Sequence, residues 1–201
     1  MELRILELGA SHAFGVNAES NLHTTLIDEY EFHLTDLSKY NVLVITYFID
    51  QEYLYKHRDI IEEFLNDGKV VVFCGHLFRK FLPGCSPFMP KRINSYKDYI
   101  VEVPKNSPLF QEVDVDDMVY NKKVAGFFAR GYYHPPKGSE ICLTFVDGSV
   151  ISYIDRVSTN GVIIVHAGRS LLSYGSSMNT TKKITDKTFE LLNREVLKGG
   201  K

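Results

Sequence analysis

The sequence has no tryptophan, only three cysteines and no excess of basic residues. Cys74, Cys85 and Cys142 form no C-x-x-C pair, which argues against a disulfide framework or a zinc ribbon and favours a reducing cytoplasm. Lys and Arg total 23 against 25 Asp and Glu, so the net charge of -2 argues against nucleic acid as a partner. No apolar run approaches the roughly 18 residues of a membrane span, and no export signal is recognisable at the start. We therefore expect a soluble, cytoplasmic protein with no membrane partner.

Signatures for phosphate and metal binding are missing as well. The glycine-bounded segment "GASHAFG" (9–15) has neither the Lys-Ser/Thr ending of a Walker loop nor the G-x-G-x-x-G spacing. His12, His76 and His166 are suitable zinc ligands by chemistry, but they belong to three separate loops without a recognisable spacing. We therefore expect no cofactor and no metal.

The chain is long enough, and at 44% hydrophobic residues apolar enough, to form one domain over residues 1–201. Its first half alternates between strand and helix patterns. Buried strands are predicted at "LRILELG" (3–9), "YNVLVITYF" (40–48) and "KVVVFCG" (69–75).

One helix is predicted between the second and third strands, with Asp50 as its N-cap and Gly68 as its stop. A strand, helix and strand in this order predict two parallel strands. A further helix is predicted over residues 17–28, where two threonines weaken the pattern.

The second half is richer in strand patterns. The Asp147-Gly148 pair separates two alternating runs and predicts a β-hairpin. "GVIIVHAG" (161–168) predicts another buried strand, and a closing helix is expected from Thr185 to Leu197. The aromatic segment "GFFARGYYHPP" (126–136) predicts a bent strand with one buried face, the alternative being a ligand lid or a dimer contact.

The order of "FLNDGKVVVFCGH", "NSPLFQEV" and "GYYHPPKGSEICLTFVDGSVISYIDRVSTNGVIIVHAG" resembles the class I glutamine amidotransferase-like superfamily, with the trehalose-utilisation (ThuA-like) branch as the nearer likeness. The resemblance spans about residues 40 to 170 and has no single diagnostic motif. It implies an α/β fold: a three-layer, flavodoxin-like, mostly parallel sheet with a β-hairpin extension in the second half. It also implies a functional site at the carboxyl ends of the strands.

Two departures from that superfamily argue against glutamine hydrolysis. The nucleophile elbow G-x-C-x-G needs small residues around its cysteine, but Val72 and His76 stand in those positions around Cys74. The late H-x-E pair is incomplete, because His166 is followed by Gly168 where the glutamate is expected. The ThuA-like branch lacks the amidotransferase signature and remains compatible.

The ends of the predicted parallel strands should bring several reactive or polar side chains to one edge of the sheet. As catalytic candidates we name Cys74, His166 and His76; as ligand-binding candidates we name His12, Tyr47, Asp50, Arg169 and Ser170. Cys74 is either a nucleophile or an inert buried thiol. Arg169 either pairs with a helix carboxylate such as Glu195 or holds an anionic substrate.

Three functions follow from these residues. The first hypothesis is a non-amidotransferase member of the superfamily that binds a small polar metabolite, such as a carbohydrate, at the strand ends. The second is a hydrolase or isomerase that uses Cys74 with His166 or His76. The third is a catalytically inactive interaction module that forms a homodimer.

Overall fold

The structure is a computed structural model that describes residues 2–10, 24–121 and 123–199. The strands of the described residues are β1 (Ile5–Gly9), β2 (Thr24–Asp28), β3 (Val42–Ile45), β4 (Val70–Cys74), β5 (Met89–Pro90), β6 (Val101–Glu102), β7 (Tyr120–Asn121), β8 (Val124–Ala125), β9 (Gly131–Tyr132), β10 (Glu140–Phe145), β11 (Val150–Asp155) and β12 (Val162–His166). The α-helices are α1 (Gln51–Lys56), α2 (Arg58–Asn66), α3 (Val115–Val119) and α4 (Lys182–Gly199). Short 3-10 turns lie at Glu29–Leu34, Leu37–Lys39, Tyr96–Tyr99 and Leu171–Tyr174.

The central sheet has eight strands in the order β2-β1-β3-β4-β12-β11-β10-β6. Strands β2, β1, β3, β4 and β12 pair in parallel, and the pairs from β12 to β6 are antiparallel. Every residue of β3 and β4 is buried, as is typical of parallel strands covered on both faces. The predicted fold class is thereby confirmed: an α/β, flavodoxin-like, mostly parallel sheet with an antiparallel extension in the second half.

The strand neighbours and the hairpin agree with the sequence pattern. Strands β1, β3, β4 and β12 are consecutive neighbours, as the apolar runs predict. Strands β10 and β11 form the predicted hairpin around Asp147 and Gly148, whose φ of 82° suits a glycine in a tight turn.

The predicted helix between β3 and β4 is in fact two helices, α1 and α2. Asp50 caps α1 as predicted, because its carboxylate accepts two backbone N–H groups of the first turn. Gly68 follows α2 with a φ of 77°, the left-handed conformation expected at a helix stop. The break falls at His57, whose backbone leaves the helical region and whose ring stacks on His33 at 5.0 Å between centroids. Periodicity alone does not encode that contact between distant segments.

Three other expectations need correction. Residues 24–28 form the edge strand β2 beside β1 instead of the end of a helix, and residues 17–23 lie outside the described residues. Within 126–136 only Gly131–Tyr132 forms a strand, and residues 126–130 form a loop. Helix α4 begins at Lys182 rather than at Thr185.

The apolar core surrounds the middle of the sheet, where β1, β3, β4 and β12 contribute residues with no exposed surface. The register places Cys74 of β4 directly opposite His166 of β12, so the two side chains lie on the same face of the sheet. In the residues that the structure describes, no helix combines the length and the apolar character needed to cross a membrane.

Candidate functional site

An open pocket lies at the carboxyl edge of the sheet, where β3, β4 and β12 end. Its volume is about 850 Å³, and its wall consists of four segments: 47–51, 75–76 together with 78, 126–130 and 167–169. Three of these segments follow β3, β4 and β12 directly, so adjacent parallel strands deliver their next residues to one place. The pocket therefore lies at the edge to which the sequence assigns the candidate residues.

Backbone packing behind this pocket depends on Gly75. A side chain there would place its Cβ 3.1 Å from both Cα and Cβ of Tyr47, and the φ of 147° is unfavourable for other residues. The buried Tyr133 holds the same turn, because its hydroxyl donates to the Gly75 carbonyl at 2.6 Å and accepts the Leu77 N–H at 3.1 Å. The turn after β4 can therefore pack closely against Tyr47 in the segment that follows β3.

Gln51 fixes the loop that follows β4, a role that the sequence analysis did not identify. Its Nε2 donates to the His76 carbonyl at 2.7 Å, and its Oε1 accepts the N–H groups of Phe78 and Arg79 at 2.7 and 3.1 Å. One side chain thus satisfies three backbone groups of an irregular segment. Its position directly after the helix cap at Asp50 is the only signal in the sequence.

Four predicted residues line the pocket: Tyr47, Asp50, His76 and Arg169. The half-buried His76 ring stacks on Phe88 at 3.8 Å between centroids, and burial lowers the pKa of this imidazole, so it is neutral near pH 7. Asp50 also accepts the hydroxyl of Tyr30 at 3.0 Å, and the first-turn N–H groups lower the pKa of its carboxyl. This carboxylate is therefore charged and already committed to capping α1.

Cys74 is completely buried at the end of β4. Burial raises the pKa of the Cys74 thiol to about 12, which keeps it protonated. Among the described residues, the non-glycine positions with positive φ do not include Cys74, and a loop rather than a helix follows Gly75. This differs from a strained nucleophile elbow and does not favour the predicted catalytic role of Cys74.

His166 is also completely buried, and its neighbours are mostly aromatic. Its ring centroid lies 5.8 Å from that of Phe110 and 5.4 Å from that of Phe128. Burial, with a smaller contribution from the positive charge of Arg169, lowers the pKa of His166 to about 3. Neither ring nitrogen has a hydrogen-bond partner within the described part of the chain. The imidazole is therefore neutral and lies beneath the pocket rather than in it.

Gly168 lies in tight contact with His166 and with the 126–130 loop. A Cβ at this position would lie 2.6 Å from His166 Nε2 and 2.5 Å from the Phe128 carbonyl oxygen. A glutamate there would require both neighbours to move. The absence of a side chain at position 168 therefore allows the 126–130 loop to pack closely on the end of β12.

Arg169 lines the pocket and is exposed to solvent. Its guanidinium carbon lies 3.9 Å from the centroid of the Tyr174 ring. Glu195, the predicted alternative partner, binds Arg156 at 3.1 Å instead. Ser170 does not line the pocket, because its side chain caps the 3-10 turn that follows β12.

Exposed aromatic rings surround the pocket, and two of them, Phe48 and Phe78, were not among the predicted site residues. Phe48, Phe78 and Phe127 are 70%, 66% and 60% exposed, and Tyr47 is 46% exposed. Phe48 also has a φ of 68°, which is uncommon for a bulky residue. The aromatic density of segment 126–136 was a signal for Phe127, while Phe48 and Phe78 resembled ordinary continuations of apolar runs.

His12 lies outside the described residues, so its place at the rim remains a prediction. In the ranges that the structure covers, no three His, Cys, Asp or Glu side chains lie close enough together to hold a metal ion. Of the other two histidines considered as zinc ligands, His76 lines the pocket and His166 lies beneath it.

The fold and the pocket define an α/β protein with an open cavity at the carboxyl edge of its sheet. No family model matches the chain, and no curated protein matches it either. The cytoplasmic protein STM1381 from Salmonella typhimurium LT2 is a similar solved structure, with a TM-score of 0.52 and 10% identity over 96% of this chain and 98% of that chain.

A beta-galactosidase from Rahnella sp. R3 is similar with a TM-score of 0.54 and 12% identity over 96% of this chain. This chain spans only 31% of the length of that enzyme. A glutamine amidotransferase from Thermotoga maritima aligns with 14% identity over 97% of this chain and 96% of its own, with a TM-score of 0.49. At such identities the likeness to these proteins concerns the fold alone.

Proposed function

We propose that this protein is a non-amidotransferase member of the class I glutamine amidotransferase-like superfamily that binds a small polar metabolite, carbohydrate-like in chemistry, in the pocket at the carboxyl edge of its sheet. The observation that carries the proposal is the pocket itself. Its volume of about 850 Å³ suits a small ligand, and its wall combines aromatic rings with a few convergent polar groups.

The lining chemistry suits a ring with an apolar face and polar edges. A sugar ring can pack its C–H face against exposed side chains such as Phe127 and Tyr47, while its hydroxyl groups need hydrogen-bond partners. His76 and Arg169 supply such partners within the same wall. Apolar contact would provide much of the binding free energy and the polar groups the orientation.

The burial of Cys74 and His166 favours a binding function over hydrolysis by these two residues. Cys74 and His166 have no exposed surface, and the pocket wall above them consists of their neighbours Gly75 and Ala167. A substrate in the pocket would meet backbone and aromatic surface before it met the thiol. The ThuA-like branch, which lacks the amidotransferase signature, is the subgroup we propose.

A thermal-shift screen with neutral sugars, polyols, sugar acids and sugar phosphates tests this proposal. The test variant is Phe127→Ala, and the matched control is Tyr96→Ala, because Tyr96 is 59% exposed and does not line the pocket. We expect at least one compound to stabilise the wild type and the control but to lose about tenfold in affinity for Phe127→Ala. If no compound stabilises the wild type, or if the two variants respond alike, the proposal is wrong.

The third hypothesis, a homodimeric interaction module, is supported by the same exposed rings, since Phe48 and Phe78 are large apolar side chains that are 70% and 66% exposed to solvent. Light scattering over a wide concentration range distinguishes the two hypotheses. A dimer that dissociates in Phe48→Ser or Phe78→Ser would favour the interaction module. A monomer at every concentration would remove that alternative.

A further inference from the structure

We infer that the ligand of this pocket carries an anionic group, a carboxylate or a phosphate, and that Arg169 binds this group while the rest of the ligand packs against the aromatic rings. This inference rests on the proposed function and narrows it from polar metabolites in general to anionic ones. It is based on the charged side chains that line the pocket and on whether each of them already has an oppositely charged partner.

The charged side chains of the wall are Asp50, Arg130 and Arg169. Asp50 is fully engaged, because one of its oxygens accepts two backbone N–H groups and the other accepts the Tyr30 hydroxyl. Arg130 donates its Nε to the Gly126 carbonyl at 2.8 Å, which is a neutral acceptor. The single carboxylate of the wall therefore binds other partners, and within the described residues neither Arg130 nor Arg169 forms an ion pair.

Among the residues that the structure describes, Arg169 has no carboxylate partner, unlike the ion-paired Arg79 and Arg156. Arg79 binds Glu52, and Arg156 binds both Glu140 and Glu195. Within the described ranges, no carboxylate lies within 4.0 Å of the Arg169 guanidinium, which instead lies over the Tyr174 ring. Contact with the Tyr174 ring restricts the conformation of the Arg169 side chain, but it does not engage the guanidinium N–H groups in an ion pair. An arginine held in this way is available to an oxyanion.

The backbone next to Arg169 adds further donors. Strand β12 ends at His166, and the Ala167 N–H donates to the Ile151 carbonyl at 2.9 Å. The N–H groups of Gly168 and Arg169 donate to no acceptor in the part of the chain that the structure describes. Two backbone donors and a guanidinium at the same strand end are a suitable combination for an anion.

The balance of charge also argues against a neutral ligand. A neutral ring that fills this cavity would displace water from the Arg169 guanidinium without returning a charged acceptor, and that desolvation opposes binding. A carboxylate or phosphate restores the interaction through charge-assisted hydrogen bonds, which a planar guanidinium can form in pairs. His76 is neutral near pH 7, so it neither adds to this positive charge nor cancels it.

The experiment compares matched anionic and neutral rings by titration calorimetry. The probes are D-glucuronate, D-galacturonate and D-glucose 6-phosphate, with D-glucose and D-galactose as their neutral counterparts. The variants are Arg169→Gln, Arg169→Lys and the control Arg92→Gln, because Arg92 is exposed and does not line the pocket. Circular dichroism confirms that each variant is folded.

For the wild type and Arg92→Gln we expect an anionic probe to bind about tenfold or more tightly than its neutral counterpart. Arg169→Gln should lose about tenfold in affinity for the anion but change less than about twofold for the neutral ring, and Arg169→Lys should recover part of the loss. Whether a uronate or the sugar phosphate binds more tightly identifies the anion.

Two results would overturn the inference. One is equal affinity for anionic and neutral rings, or an anion affinity that Arg169→Gln leaves unchanged. The other is no binding by any anionic probe. In either case the thermal-shift screen tests the proposed function separately. A neutral compound whose binding depends on Phe127 would leave the proposed function intact. If no such compound is found, the proposed function and this inference are both wrong.

Discussion

The Cys74 thiol should react with alkylating reagents about three orders of magnitude more slowly in the folded protein than an exposed thiol does. Burial raises its pKa to about 12, so at about pH 8 only about one thiol in ten thousand is ionised. An exposed cysteine with a pKa of about 8.5 is ionised to about one quarter at the same pH. Because the thiolate is the reactive species, the ratio of these fractions corresponds to a protection of about 10³.

Steric burial should strengthen this protection further. Cys74 has no exposed surface, so iodoacetamide can reach its sulfur only after local or global opening of the sheet. Cys85 and Cys142 are also buried, and burial raises the pKa of both thiols, so they should show similar protection. Labelling of all three should then accelerate together as denaturant increases the population of unfolded chains.

The assay is peptide-resolved mass spectrometry of iodoacetamide labelling over time, at about pH 8, in native buffer and in concentrated guanidinium chloride. The variant Ser176→Cys supplies the exposed reference thiol in the same chain, since Ser176 lies in an exposed loop. If Cys74 in native buffer reacted within about tenfold of that reference, the burial argument would be refuted and the Cys74 and His166 dyad would return as a hypothesis.

Two further predictions concern the end of β12. Because the pKa of His166 is about 3 in the folded protein, this residue binds fewer protons when folded than when unfolded between about pH 3 and 6.5, and the free energy of unfolding falls as the pH drops through this range. Between about pH 7 and 5, urea unfolding should show that the free energy of unfolding of His166→Phe falls by about 2 kcal/mol less than that of the wild type. Equal losses would contradict this reasoning. Gly168→Ala should lower the free energy of unfolding by about 1–3 kcal/mol, because its Cβ would lie 2.5 Å from the Phe128 carbonyl oxygen. Gly175→Ala is the control, since Gly175 has an ordinary helical φ of -56° and its nearest new contact would be at 3.6 Å; similar costs at the two positions would count against the steric argument.

The sequence predicted those parts of the fold that depend on residues close together in the chain. The apolar runs that form β3 and β4, the cap at Asp50 and the turn at Gly148 all depend on neighbouring residues, and the structure has them as predicted. The break at His57 was not predicted, because it accompanies a contact with His33 more than twenty positions away. Strand β2 was assigned to a helix, since its pairing with β1 is not local.

The candidate site likewise has features that the sequence predicted and features that only the tertiary structure decided. Sequence order alone predicted that the ends of β3, β4 and β12 meet, since parallel neighbours share an edge, and Tyr47, His76 and Arg169 line the pocket there. The sequence also determined that the residue two positions after His166 is a glycine rather than a carboxylate. These statements need only chain order and the residue types at the strand ends.

Only the tertiary structure decided which of those residues a ligand can reach. Cys74 and Tyr47 both follow buried apolar runs, yet one is inaccessible and the other is 46% exposed. Residues 126–130, which are distant in sequence, likewise pack over the end of β12 and bring Phe128 against His166 and Phe127 to the pocket wall. Accessibility and pKa depend on such long-range packing, and no pattern of neighbouring residues carries that information.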